Sequence, residues 1–407
     1  MLLIGPFSQI LPMVDLPHKG AIADEQLPVI AGGGIVVDRG RIVTTGLFKS
    51  LREAYPACEV CFIDKPMVLL PGFIDCHTHI CFDGNRSRDY AMRIAGKTYL
   101  EIARAGGGIW DSVTKTRLAD EDTLLAGLVE RANRHLKEGV TTIEVKSGYG
   151  LNMDGELKML RTIQAAAAQT KASLIPTCLA AHMKPKDFTG TEKDYLDWIL
   201  KELLPVVKQE RLSDRVDIFV EETAFAAGDA LAFLQAAHQM GLAATVHADQ
   251  FSTGGTAVAV AAGALSADHL EASGEKEIAL LAAADTVAVV LPGASLGLGM
   301  QYAPARKLLD AGASVAIASD WNPGSAPMGD LLVQAAVISA AEKLSTAEVL
   351  TGLTTRAAAA LQLSETAGLK NGYVADMQAY PTPDYRDILY FQGKMKPAMV
   401  WKRGVLI

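Results

Sequence analysis

Between residues 73 and 320 the chain alternates between short apolar runs, rich in Val, Ile, Thr and Ala, and longer helix-prone stretches. The short runs are Phe73–His79, Val140–Lys146, Ser173–Cys178, Val216–Glu221, Ala243–His247, Leu265–His269, Thr286–Leu291 and Ser314–Asp320. Helix candidates such as Asp122–Glu138, Asp154–Thr170, Ala226–Met240 and Lys276–Ala284 lie between them. Strands that alternate with helices run parallel, because each helix carries the chain back to the same end of the sheet. Eight such units over about 250 residues fit a closed (β/α)8 barrel better than an open doubly wound sheet. The expected fold class is therefore α/β, with a TIM-like barrel at its centre.

The two ends have a different rhythm. Ile35–Val43 places an Asp38-Arg-Gly40 turn between β-branched runs, a hairpin signal. Tyr373–Ala379 is a strand candidate, and Met399–Ile407 again sets a Gly404 turn between apolar runs. Neither end can build a core alone. We expect both to pair into one small β-sandwich domain, residues 1–68 with 366–407, around a barrel at 69–365. Ser345-Thr-Ala-Glu348 is a capping box and predicts one helix running to about Leu363, with Gly368 as a stop.

Composition narrows the function classes. Half of the 407 residues are hydrophobic and 21% are charged, which excludes a disordered chain. The net charge of −8, without any basic stripe, argues against nucleic acid as a partner. Five cysteines, odd in number, read as reduced intracellular thiols. Cys58-Glu-Val-Cys61 is a lone C-x-x-C without the second pair that a zinc site needs. The N-terminus lacks a basic n-region, and the apolar stretch around Ile278–Met300 is broken by Asp285, Pro292 and glycines. A cytoplasmic protein with no membrane partner is the expectation.

Barrel active sites sit at the C-terminal ends of the strands. At those ends stand His77, His79, Lys146, His182, Glu221, Glu222, His247, His269 and Asp320. Five of the eight histidines fall there; His18, His135 and His238 do not. His77 and His79 are two apart on a strand and so share a face. With His247 and Asp320 they offer three nitrogens and a carboxylate oxygen, a set suited to zinc or iron. Ala105-Gly-Gly-Gly-Ile109 lacks the P-loop pattern and reads as a mobile loop. Tyr149, between two glycines after the second strand, is placed either to reach a ligand or to pack.

Together these segments resemble a known family. Pro71-Gly-Phe-Ile-Asp-Cys-His-Thr-His79 is similar to the opening of the amidohydrolase superfamily. Phe82–Arg86, Ala105–Gly108, Glu144–Gly150, Ala181-His182, His247–Gln250, Ser266–Glu271 and Ala318–Gly324, in that order, resemble the imidazolonepropionases of histidine degradation. Gly368–Asp376 resembles the superfamily's return into the β domain.

The resemblance implies hydrolysis of 4-imidazolone-5-propanoate to N-formimidoyl-L-glutamate. It implies one metal, Zn2+ or iron (Fe3+ or Fe2+), held by His77, His79, His247 and Asp320. It also implies substrate contacts from Arg86, Tyr149, His182, Gln250, Asn322, Gly324 and Ser325, and a homodimer. In such a site Arg86 clamps the carboxylate of a small anionic substrate. His182 donates to the developing oxyanion, Asp320 moves the proton, and His269 orients Asp320 or the water. Some members have glutamate where Gln250 stands, so here base work is left to Asp320. Ser325 replaces a common threonine and keeps the hydroxyl. Lys146 follows the second strand, whereas the bridging lysine of binuclear relatives follows the fourth, so one metal is expected. Another cyclic amidohydrolase or a nucleobase deaminase on the same scaffold is the alternative; a silent metal-binding scaffold is a third reading.

Overall fold

The computed structural model describes every residue except Thr223, and of Tyr99, Leu100 and Ala103 only the backbone. Eight parallel strands follow one another in sequence order: Phe73–Asp75, Val140–Lys146, Ser173–Ala181, Arg215–Val220, Ala243–Ala248, Ser266–His269, Val287–Val290 and Val315–Ile317. All eight expected strands are present. The first and last close the barrel just beyond their regular ends. The Asp320 amide donates to the His77 carbonyl at 3.0 Å, and the His79 amide donates to the Trp321 carbonyl at 3.0 Å. This seam joins two residue sets that lie about 240 positions apart in sequence.

The helices form for local reasons. Glu121–Lys137 starts at Asp120, whose carboxylate accepts the Thr123 amide at 2.7 Å, and buries Leu124, Leu128, Ala132 and Leu136 along one face. Met153–Ala167 starts at Asn152, whose side chain accepts the Gly155 amide at 2.7 Å. Full burial of a leucine such as Leu128 contributes roughly 1.5–3 kcal/mol.

The single helix expected from Ser345 to about Leu363 is two helices, Thr346–Gly352 and Thr355–Ala360. Ser345 caps the first as anticipated. The break has a tertiary cause. The Leu353 carbonyl turns outward to accept the Ile74 amide of the first barrel strand at 2.9 Å. The Thr354 hydroxyl meanwhile donates back to Leu350 at 2.6 Å.

The chain ends meet in one eight-stranded sheet. Leu2–Ile10 pairs with Ile30–Asp38, Glu59–Phe62 and Val68–Pro71. Val68–Pro71 then accepts Met377–Tyr380, beyond which lie Met399–Lys402 and Val405–Leu406. The sheet curls until the turn after Ile30–Asp38 meets the turn after Met399–Lys402, with Gly40 against Arg403, and Phe7 of the inner strand Leu2–Ile10 meets Trp401 edge to face with centroids 6.4 Å apart. Ile4, Ile35, Leu69 and Met377 fill the interior between them. Cys58 and Cys61 sit on this sheet domain as free thiols. Among the described residues no helix is long and apolar enough to cross a membrane.

Candidate metal centre and active site

His77 and His79 leave the first strand at the seam, and Asp320 leaves the last beside them. His247 stands one residue before the end of the fifth. Their side chains converge. The His79 Nε2 lies 3.3 Å from the His77 Nε2 and 3.2 Å from the His247 Nε2. Asp320 Oδ1 lies 3.4 Å from the His79 Nε2 and 3.6 Å from the His77 Nε2. All four residues are buried. Among the described residues this histidine trio is the one group of three or more ligating side chains with metal-ligand spacing.

The donor set fits a cation. The His77 Nδ1 faces Asp268 Oδ2 at 2.6 Å, and the His247 Nδ1 faces Asp217 Oδ2 at 2.9 Å. A ring nitrogen that donates to a carboxylate leaves the other with its lone pair. Those lone pairs point at one spot, an arrangement that is repulsive without a positive ion. Donor atoms about 3.3 Å apart are also what bonds of about 2.0–2.1 Å make in a tetrahedral zinc site. Burial, with the neighbouring cationic groups, holds the imidazoles of His77 and His79 well below their usual range. Burial takes His247 down to about 3 against the pull of Asp217. Neutral imidazole is the form that ligates.

Asp320 and His269 stand out in backbone as well as charge. Their φ values are +47° and +87°, a region that costs a residue with a side chain on the order of 1–3 kcal/mol. The strained turns aim both side chains into the barrel mouth. Burial pushes the Asp320 carboxyl up to about 6, opposed by His269. For His269, burial works against the imidazolium, yet Glu271, Asp320 and Asp268 outweigh it and its pKa is raised.

Above this floor lies a cavity of about 670 Å³. It is lined by Arg86, Tyr149, His182, Gln250, Asn322 and Ser325, together with His79, His247, His269 and Asp320. Glu221 and Glu222 also reach it, while Lys146 lies beneath, bound to Glu144 and Asp217. The Arg86 Nε donates to Asp89 Oδ2 at 2.9 Å, which leaves its two terminal nitrogens for a ligand. Gly324 lines a neighbouring cavity of about 450 Å³ that shares Arg86. A Cβ on Gly324 would lie 2.1 Å from the Arg86 Nη1, so a side chain there would displace the guanidinium from this position.

One expectation changes. His182 was expected to donate to an oxyanion, but its Nδ1 donates to the Gly148 carbonyl at 3.0 Å. Burial lowers its pKa to about 4, so the ring is neutral and Nε2 offers a lone pair. It is set to accept. Within Ala105–Ile109, expected as a mobile loop, the Gly108 amide donates to Asp89 Oδ2 at 2.8 Å. The carboxylate that braces Arg86 therefore also ties down this segment.

Other residues escaped the sequence reading. Asp217 and Asp268 sit inside apolar runs; only an acid buried in a barrel strand hints at them. His135, which lies off the strand ends, faces Asp75 Oδ2 at 3.1 Å, and Asp75 Oδ1 accepts the Ser319 amide at 3.0 Å, next to Asp320.

Comparison with known proteins shows the family and the fold. Residues 68–407 match the model of the amidohydrolase family. The chain is 40% identical over 367 residues to an imidazolonepropionase of Paracoccus denitrificans, covering 90% of this chain and 92% of that one. It is 37% identical over 412 residues to the imidazolonepropionase of Symbiobacterium thermophilum, covering 100% and 97%. Among solved structures, a zinc-bound atrazine chlorohydrolase variant from Arthrobacter aurescens superposes with a TM-score of 0.76 at 17% identity, covering 100% of this chain and 95% of that one. A guanine deaminase from C. acetobutylicum with bound guanine gives 0.69 at 15%, covering 100% and 99%. At such identities these two speak for the fold alone.

Proposed function

The chain belongs to the amidohydrolase family, alongside the imidazolonepropionases, and from that premise we infer how its site works. It is a metal-dependent hydrolase that opens 4-imidazolone-5-propanoate to N-formimidoyl-L-glutamate in L-histidine catabolism. The observation that carries this reading is the convergence of His77, His79, His247 and Asp320 at the floor of a cavity that Arg86 also lines.

His77, His79, His247 and Asp320 would hold one zinc or iron ion per chain. Such an ion, when bound, acts as a Lewis acid and lowers the pKa of water toward about 7. The chain's own groups do the rest. Arg86, held at its Nε by Asp89, grips the propionate as a fork. The His182 Nε2 accepts the ring N–H, while Gln250, Asn322 and Ser325 hydrogen-bond around the ring. Tyr149 keeps its hydroxyl proton, because burial raises its pKa, and is the neutral donor facing the substrate. Asp320 takes the proton of the attacking water and passes it to the ring nitrogen as the amide C–N bond breaks. His269, biased toward its charged form, steadies the Asp320 carboxylate before and after that transfer.

The arginines on the cavity wall, Arg86 and Arg93, suit a small anion rather than an uncharged base. We place the enzyme in the cytoplasm as a homodimer, with neither nucleic acid nor membrane as a partner. The test is turnover by purified, metal-loaded protein. Imidazolonepropionate should be consumed with formimidoylglutamate as product, and guanine and cytosine left untouched. Activity on the bases alone would overturn the assignment in favour of a deaminase.

A further inference from the structure

Beneath the metal cradle lies a cation that the reaction does not touch. Lys146 ends the second barrel strand with its side chain wholly buried. A lone ammonium is rarely left in such a place, because removing it from water is costly. Its Nζ is 2.8 Å from Glu144 Oε1 and 2.8 Å from Asp217 Oδ2. Each carboxylate has a second task. Glu144 Oε2 accepts the amide of Thr78 at 3.1 Å, and the Glu144 carbonyl accepts the Thr78 hydroxyl at 2.6 Å. Thr78 is the residue between the two histidines of the first strand. Asp217 Oδ1 accepts the His247 amide at 3.2 Å, while Oδ2 faces the His247 Nδ1 at 2.9 Å. The Lys146 amide itself donates to the Thr78 carbonyl at 3.0 Å.

We propose that Lys146 is a positioning residue that sets the register of all three histidine ligands at once, through Glu144 to the His77–His79 pair and through Asp217 to His247. The role rests on the metal-centre reading and deepens it. The link is mechanical as well as electrostatic. An ammonium between two carboxylates fixes where each can sit, and each carboxylate fixes a ligand's backbone or ring. Without the cation, two buried carboxylates would repel each other and the ligands would part. Outer partners of metal ligands typically govern about 10–100-fold in metal affinity, and here one residue serves several ligands.

The test compares zinc affinity, by chelator competition, with thermal stability in the full chain. Lys146→Met should bind zinc at least 10-fold more weakly. Because that variant leaves two acids unpaired and can unfold for this reason alone, the second variant is Lys146→Met with Glu144→Leu. It removes one charge of each sign and should regain most of the lost thermal stability while zinc affinity stays at least 10-fold weaker. In the cobalt-loaded forms, the visible absorption band that reports ligand geometry should shift in both variants. Parental affinity and an unchanged cobalt band in either folded variant would overturn the proposal. If the parent chain itself takes up neither zinc nor cobalt, the metal-centre reading falls first and takes this role with it; a parent that binds and a variant that binds equally sinks the role of Lys146 alone.

Discussion

The floor and the wall of the cavity are built on opposite plans. On the floor most ligands are held from behind: His77 by Asp268, His247 by Asp217, and Asp320 by a backbone bond across the barrel seam. All of them come from strand ends. On the wall, Arg86 leans on a single carboxylate of the Ser87–Ile94 helix, and Asn322 and Ser325 stand on a loop. On the proposed function, the floor would hold one ion and carry the proton transfer, and the wall would bind the substrate. Changes on the floor should therefore lower kcat and metal content, and changes on the wall should raise KM with the metal in place.

Asp320→Ala is the severest way to break that division. It should lower kcat by about 10³-fold or more, since it removes a proton carrier and a ligand together. Steady-state kinetics with metal analysis reads both. Arg86→Met should raise KM by about 10–100-fold, the worth of a charge-assisted fork, with metal content unchanged. Metal loss in that variant would mean that wall and floor are not separate. Gly324→Ala forces the Arg86 guanidinium aside and should raise KM by about 5–10-fold, again with full metal. Ser325→Thr keeps its hydroxyl and should leave both constants within about 2-fold.

Acid gives a further, subtler check on the floor. Protons compete with the ion for the imidazoles, so metal is released as pH falls. Because burial holds His77, His79 and His247 below the usual imidazole value, proton competition begins only at lower pH. Half-release of zinc, followed by dialysis at stepped pH, should therefore fall below about 6.5. Release centred above that value would mean that the ligands are not held neutral.

The candidate ligands were legible because strand ends can be read from local pattern. His77 and His79 follow an apolar run two apart, and His247 and Asp320 close two later runs. Their partners were not legible in the same way. Asp217 lies in Val216-Asp-Ile-Phe219 and Asp268 in Ser266-Ala-Asp-His269, where nothing local says which histidine each will face across the barrel. The break at Leu353 was hidden for a similar reason: the Ile74 amide that draws out its carbonyl lies nearly 280 residues earlier. His135 looked idle because it sits in the last turn of a helix, away from the strand ends, and only packing shows it against Asp75. The tautomer of His182 depends on the Gly148 carbonyl that the preceding strand delivers. Periodicity reports the faces of elements, whereas these features are pairings between elements.

The curled sheet that joins the chain's two ends has a consequence for biosynthesis. Val68–Pro71 leaves the ribosome with one edge bare, and its neighbour, Met377–Tyr380, is made roughly 300 residues later. At about 5–20 residues per second the delay is on the order of 15–60 s. Throughout that time the whole barrel can assemble while the amino-terminal strands stay open on one flank, a sticky border of the kind that invites wrong partners. Release from the ribosome thus acts as the final seal, and a nascent chain stopped short of residue 377 would carry a finished catalytic barrel beside an unfinished, aggregation-prone sheet.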